Sequence, residues 1–230
     1  MPSSSTRQAA FFDVDGTIVK TNIVHYYIYF RRRRLPIYWR DAWSAYFAAK
    51  CLYFLLLDKI DRRRLNIVFY RHYRGLRVSD IERLVENCHN DVIVPRLFPG
   101  ARAAVADHQR AGRDVIFVTG SVDFIMQPLA RMLGVEHVLA PTLVRQGDCY
   151  TGELDGPPVA GAEKARRMRD FAEKHGVDLS RSHAYGDSVA DLPMLEAVGH
   201  AHAVNPDRAL AETARQRRWE VHRWGLAGAK

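Results

Sequence analysis

A chain of 230 residues, 47% apolar and 26% charged, can bury a sizeable core, which excludes a disordered or low-complexity protein. The formal net charge of +8 favours anionic partners, whether phosphates, acidic lipids or nucleic acid, without choosing among them. Three widely spaced cysteines, Cys51, Cys88 and Cys149, exclude a disulfide framework and a cysteine zinc signature; they fit a reducing compartment, the cytoplasm.

Residues 1–10 are short and polar and lack the apolar core of a signal peptide. Residues 9–12 then read as a buried strand within Phe11-Phe12-Asp13-Val14-Asp15-Gly16-Thr17. Gly16 marks a turn, so Asp13 and Asp15 sit at the carboxyl end of that strand, the side on which open α/β sheets bind ligands. Two carboxylates there can hold a divalent cation, and one of them can act as a nucleophile. An Asp-rich turn without chemistry is the bland alternative, still open at this point of the chain. Residues 18–22 form a connector, and from 25 to about 94 the pattern is helical. One helix spans 26–34 and is closed by Pro36. A long apolar one spans 37–57. A basic amphipathic one spans 61–73 and ends at Gly75. Another opens on Ser79 and Glu82 as a capping box, with Ile81, Leu84, Val85 and Cys88 on one face. The most apolar stretch, 43–57, contains Lys50 and falls short of the about 20 apolar residues a membrane span needs.

Pro99-Gly100 breaks the chain before a helix over 101–111, which Gly112 caps. Residues 114–118 form a second buried strand, ending in Thr119-Gly120-Ser121 before a helix that runs to Leu133-Gly134. A third strand covers 135–140, and 143–154 is a hairpin turning at Gln146-Gly147-Asp148. Gly161 opens a charged helix that ends at Gly176. A fourth strand (183–186) leads into Asp187 and a helix over 192–197. A fifth strand (201–204), a helix (207–217) and a last edge strand (219–222) complete the chain. Strands alternating with helices predict an α/β fold: a Rossmann-like parallel-sheet core (1–20 and 95–230) with a helical cap domain (21–94) inserted after the first strand. His200 and His202 alternate on the fifth strand with no third ligand in view, which argues against a zinc site.

In a parallel sheet the strand ends at Asp13 and Asp15, at Thr119-Gly120-Ser121 and at Gly186-Asp187-Ser188-Val189-Ala190-Asp191 share one side, and Lys164 comes just before the fourth strand. A carboxylate nucleophile, an acid/base, hydroxyl and amide donors, a cation and metal-binding carboxylates suit phosphoryl transfer. Thr119-Gly120 as a helix cap, Lys164 as a solvated lysine and Asp187 as an N-cap are the separate bland readings.

Together these motifs resemble the haloacid dehalogenase-like hydrolases over nearly the whole chain: Asp13-Val14-Asp15-Gly16-Thr17 as the first motif, Thr119 the second, Lys164 the third, and Gly186-Asp187 with Asp191 the fourth. The insert matches the cap of the branch containing phosphoserine phosphatases (subclass IB). The run from Tyr185 to Glu196 is similar to a bacterial subfamily of small phosphatases, some acting on phospholipid head groups. The resemblance implies a Mg²⁺-dependent phosphomonoesterase. Asp13 would form an aspartyl-phosphate and Asp15 would serve as acid and base. Thr119, Gly120 and Lys164 would bind the phosphoryl group. The Asp13 carboxylate, the Asp15 main-chain carbonyl and Asp187 would bind Mg²⁺, supported by Asp191. Two positions depart from the family. Asn22 stands where phosphoserine phosphatases carry a glutamate for the substrate ammonium, and Ala190 replaces a common asparagine.

The insert carries Arg31 to Arg34 and Arg62 to Arg64 among many Tyr and Trp residues. An aromatic core with solvated basic rims is one reading. The other is a lipid-facing surface that adds peripheral membrane contact through the cap. No nucleic-acid recognition module is visible, so no nucleic acid is expected. The expected substrate is a phosphorylated small molecule or lipid, with a lipid-linked or amphipathic ester favoured. The alternatives are a small-metabolite phosphatase of phosphoserine or phosphocholine type, or a catalytically weak membrane- or protein-binding module.

Overall fold

A computed structural model describes residues 7–60 and 62–227. The polar start (1–6), Asp61 as first residue of the basic helix, the Arg62 side chain of the second basic run and the last three residues of the expected core segment lie outside the described residues. In chain order the strands are β1 (Ala9–Phe12), β2 (Asp114–Val118), β3 (His137–Leu139), β4 (Leu143–Gln146), β5 (Cys149–Leu154), β6 (His183–Gly186), β7 (His200–Val204) and β8 (Glu220–His222). Six of them form one parallel sheet in the order β3-β2-β1-β6-β7-β8, and β4 and β5 form the expected antiparallel hairpin. All four residues of β1 are buried. Phe12 stacks on Tyr185 at 4.2 Å on one face of the sheet, and Phe11 meets Phe171 edge-on at 6.2 Å. A strand covered on both faces has no reason to alternate polar and apolar residues, hence its unbroken apolar run.

The helices are α1 (Ile23–Arg34), α2 (Arg40–Ile60), α3 (Arg62–Tyr70), α4 (Val78–Cys88), α5 (Pro99–Arg110), α6 (Asp123–Leu133), α7 (Ala162–His175), α8 (Leu192–Leu195) and α9 (Arg208–Arg217). The first four follow β1 directly. Several boundaries differ from expectation for local reasons. Asn22 accepts from the Val24 and His25 amides, so α1 starts at Ile23. The capping box at Ser79 and Glu82 does not form. Ser79 lies inside the first turn of α4, and its amide and hydroxyl both donate to Asp148 in the hairpin turn, at 2.9 and 2.7 Å. Pro99-Gly100 does not break the chain but opens α5, where proline has no helical N–H to lose. Residues 37–39 form a separate 3₁₀ turn before α2. A π-helical turn, His89–Ile93, extends the helical stretch beyond α4.

The first four helices and the sheet share one apolar cluster. It runs from Phe12 and Val14 through Tyr26, Phe30 and Phe69 to Tyr73 and Ile81. The hairpin ties down the far side: the Gly75 amide donates to the Tyr150 carbonyl, the Tyr150 amide to Leu76 and the Val78 amide to Asp148. Most aromatics of these helices are buried, in pairs such as Trp43 stacked on Phe47 at 4.9 Å and Phe54 against Phe69 at 5.4 Å. Of the four consecutive arginines, Arg32, Arg33 and Arg34 pair with Asp41, Asp91 and Asp80. The apolar-core reading therefore accounts for most of the insert. Ile37, Tyr38 and Trp39, at 77%, 75% and 57%, are exposed together, and Tyr46, Leu52 and Tyr53 of α2 are exposed as well. Among the described residues no helix is long and apolar enough to cross a membrane.

The expectation that no third metal-binding side chain lies near His200 and His202 does not hold. Pairing of β7 with β8 sets His202 opposite Glu220, and His222 follows two residues on, on the same face.

On the opposite side of Tyr185, buried His108 of α5 lies 2.9 Å from the tyrosine hydroxyl. Burial, reinforced by Arg113, lowers the His108 pKa from 6.5 to about 4. The unfolded chain takes up this proton first, so the associated stability is complete above pH ~6.5 and is lost as pH falls towards 4, by up to about 3 kcal/mol. Urea unfolding across that range should show a shallower loss in His108→Gln than in the wild type; equal slopes would contradict the assignment.

Candidate active site

Asp13 follows β1 directly, and its amide donates to the Tyr185 carbonyl at 2.9 Å, which continues the pairing with β6 by one residue. The side chain is buried. Its Oδ1 lies 2.5 Å from Lys164 Nζ, and its Oδ2 accepts from Thr17 Oγ1 at 3.1 Å. Lys164 reaches in from the first turn of α7, also buried, and donates to Asp191 Oδ1 at 2.7 Å. Burial raises the Asp13 carboxyl to about 6, with Lys164 pulling in the other direction. The two carboxylates hold Lys164 protonated, above the usual lysine range.

Asp191 is fully buried. Its Oδ2 accepts from the amides of Asp187 and Ser188 at 3.3 Å and from the Ser188 hydroxyl at 3.2 Å. A glycine at 186 is needed because a Cβ there would lie 2.7 Å from that of Asp191. Oxygens of Asp13, Asp187 and Asp191 lie within 4.8 Å of one another. Gly16, at φ +96°, is where the loop passes Asp187 so closely that a Cβ would lie 2.2 Å from its Oδ2. Three converging carboxylates on backbone cleared of side chains, with one ammonium among them, form a hard-oxygen set with excess negative charge. That set fits Mg²⁺. Gly16→Ala should lose about 1–3 kcal/mol to the left-handed backbone and displace Asp187, seen as a lower Tm and weaker Mg²⁺ stabilisation. An unchanged Mg²⁺ dependence of Tm would refute it.

Asp15 points elsewhere. Its Oδ1 accepts from Tyr26 OH at 2.7 Å and Thr21 Oγ1 at 3.0 Å, and its Oδ2 from Ser121 Oγ at 2.6 Å. Thr119 is fully buried, with its Oγ1 3.5 Å from Asp15 Oδ2 and accepting the Ser121 amide. Gly120 lies on the wall of a cavity of about 390 Å³ that Asp13, Asp15, Lys164, Asp187 and Asp191 also line; Thr119 is not part of that wall. A Cβ at Gly120 would press on Asn66 Nδ2 at 3.0 Å. All seven residues singled out in the sequence thus gather at one end of the sheet, six of them on the cavity wall and Thr119 behind it. Tyr26, Thr21 and Tyr70, whose hydroxyl donates to the Gly120 carbonyl at 2.8 Å, were not singled out as site residues. Tyr26 and Thr21 lie near Asp15 in sequence, but nothing local marks a helical tyrosine as a partner of that carboxylate.

The remaining wall is mostly apolar, with Ile23, Val24, Ile28, Phe54 and Leu65, and carries Thr21, His25 and Asn66 among them. Asn22 also lines the cavity, with its side-chain oxygen committed to capping α1. Among the described lining residues there is no arginine and no glutamate.

A family model described as haloacid dehalogenase-like hydrolase matches residues 10–196. A probable phosphatase of Mycobacterium tuberculosis is 36% identical over 94% of this chain and 75% of its own length. A phosphoserine phosphatase of the same organism is 33% identical over 98% of this chain and 74% of its own. A solved structure of a protein of unknown function from Bordetella pertussis Tohama I matches with a TM-score of 0.82 at 27% identity, covering 95% of this chain and 99% of that one.

Proposed function

The chain belongs to the haloacid dehalogenase-like hydrolases and is a phosphatase, and on that footing we propose a phosphomonoester hydrolase that works through Asp13 as nucleophile. The observation that carries the proposal is the Asp13 carboxylate, fixed at the end of a central strand beside Lys164, with oxygens of Asp187 and Asp191 within 4.8 Å. One oxygen of Asp13 attacks phosphorus as the ester oxygen leaves, giving an aspartyl-phosphate. Asp15 protonates the leaving alkoxide and then takes a proton from the water that cleaves the acyl phosphate. Lys164 and the Gly120 amide, with Thr119 behind them, bear the phosphoryl oxygens. Asp13, Asp187 and the Asp15 main-chain carbonyl, backed by Asp191, would hold Mg²⁺, which screens the carboxylates from the incoming phosphate and neutralises developing charge. Residues 21–94 act as the cap over a core formed by 1–20 and 95–230, and keep water from the cavity.

The apolar wall supports an amphipathic phosphate ester over phosphoserine. Phosphoserine carries an ammonium and a carboxylate, and to the catalytic carboxylates and Lys164 the described lining residues add His25 but no glutamate and no arginine. The exposed Ile37-Tyr38-Trp39 turn beside Arg31 to Arg34 favours delivery of such an ester from a lipid surface. A panel of p-nitrophenyl phosphate, phosphoserine, phosphocholine, lysophosphatidate and phosphatidylglycerophosphate, assayed with and without Mg²⁺, tests both parts. Release from the lipid esters that exceeds phosphoserine, and a rise in KM for them in Phe54→Ala, is expected. Preference for phosphoserine would overturn the substrate class but not the chemistry. Failure to co-sediment with anionic vesicles at moderate salt would remove the lipid surface.

A further inference from the structure

The outer edge of the sheet gathers nitrogen ligands where the cavity gathers oxygen. His202 on β7 faces Glu220 across the strand pair, and His222 lies two residues beyond Glu220 on the same face. Their polar atoms converge. His202 Nδ1 is 3.1 Å from Glu220 Oε2 and 3.1 Å from His222 Nε2, and His222 Nε2 is 3.8 Å from Glu220 Oε1. Two ligands of a tetrahedral zinc ion, each at about 2.0–2.1 Å, stand roughly 3.3 Å apart. Glu220 meets the two imidazoles through different oxygens, and both 3.1 Å separations at His202 are close to an edge of such a tetrahedron. One ligand atom from each of the three residues lies within 4.8 Å of the others, so a rotation of the exposed Glu220 carboxylate closes the face.

The surroundings also suit a metal. His202 Nε2 lies 3.0 Å from His183 Nδ1 on the neighbouring strand. With Nε2–H donating to His183, the Nδ1 lone pair of His202 is left facing His222 and Glu220, as when a second imidazole nitrogen is tied down to orient a metal-binding one. The His202 ring is stacked on Tyr185 at 4.2 Å and is mostly buried, so it is already held in place. Glu220, with 65% of its side chain exposed, leaves the fourth side open to water and gives an ion its way in.

We propose that His202, Glu220 and His222 form a second metal site, for a borderline divalent transition ion such as Zn²⁺, sharing no ligand with the carboxylate cluster. Its ligand set, two imidazoles and a carboxylate, selects nitrogen-preferring ions over Mg²⁺, whereas the Asp13 cluster selects the reverse. Such an ion would also fasten β8, the three-residue edge strand, to β7.

The test uses untagged, chelator-treated full-length protein titrated with Zn²⁺ against a competing chelator, with Co²⁺ as a spectroscopic probe. One equivalent of Zn²⁺ should bind to the wild type and to Asp187→Asn. Affinity should fall at least tenfold in Glu220→Gln and in His222→Asn, both at partly exposed positions where the fold survives, as judged by circular dichroism. Co²⁺ should give the intense visible bands of a four-coordinate site without a thiolate charge-transfer band. The proposal is overturned by no binding, by binding that persists unchanged in Glu220→Gln and His222→Asn, by loss in Asp187→Asn alone, or by a thiolate band.

Discussion

Asp13→Asn should lower Mg²⁺-dependent phosphate release by on the order of 10⁴- to 10⁶-fold, as expected when an enzyme loses its nucleophile. The fold should persist. Asparagine is nearly the same size, its carbonyl oxygen can still accept from Lys164 while its amide donates to Thr17 Oγ1, and Lys164 keeps its 2.7 Å partner Asp191. The variant also removes one of three neighbouring carboxylates, so burial costs it less than it costs the wild type. A Tm within a few degrees of wild type, together with lost turnover of p-nitrophenyl phosphate, is the expected pair of results. Turnover within tenfold of wild type, in a folded variant, would sink Asp13 as nucleophile.

Lys164→Met should have the largest effect on stability. The thioether fills much the same volume but leaves Asp13 and Asp191 buried with no cation between them. Breaking a buried pair by removing one partner costs about 3–5 kcal/mol. For a chain of this size that is a fall in Tm of roughly 10 °C. Addition of Mg²⁺ should recover more of that loss in the variant than it adds to the wild type, because the ion then supplies the missing positive charge. Equal Mg²⁺ responses in the two proteins would mean that the ion and the lysine do not act on the same carboxylates. Activity should fall as well, by about 10²- to 10³-fold, the usual effect of removing one charged donor from a developing oxyanion.

The sequence carried the parts of this architecture that are local. The unbroken apolar run Ala9–Phe12, the Asp-x-Asp-Gly turn after it and the Gly186-Asp187 turn each state their own position, and the strands stand where periodicity puts them. Boundaries failed where a long-range partner decided them. Ser79 had every local reason to cap a helix, but Asp148, far along the chain, offers two strong acceptors and takes both its donors. The same limit applies to Tyr26 and Tyr70, whose hydroxyl partners are set by how the insert lies on the sheet. It applies too to Glu220 and His222, whose nearness to His202 depends on which strand joins the edge. A pattern of residue types records which groups can meet, and only the pairing of strands and helices records which do.

The bond from Tyr26 to Asp15 and that from Tyr70 to Gly120 both cross from the insert to residues that line the cavity. They act as two latches on one door. Outward movement of α1 would pull the Tyr26 hydroxyl from Asp15, and outward movement of α3 would pull the Tyr70 hydroxyl from Gly120. With Asp15 as the proposed acid, an open door would take away one of the three hydroxyls that aim it. Once the door shuts on a ligand, the same contact re-aims the acid. On the proposed mechanism admission and proton delivery are thus alternatives in time, so the ester is cleaved only once it is enclosed.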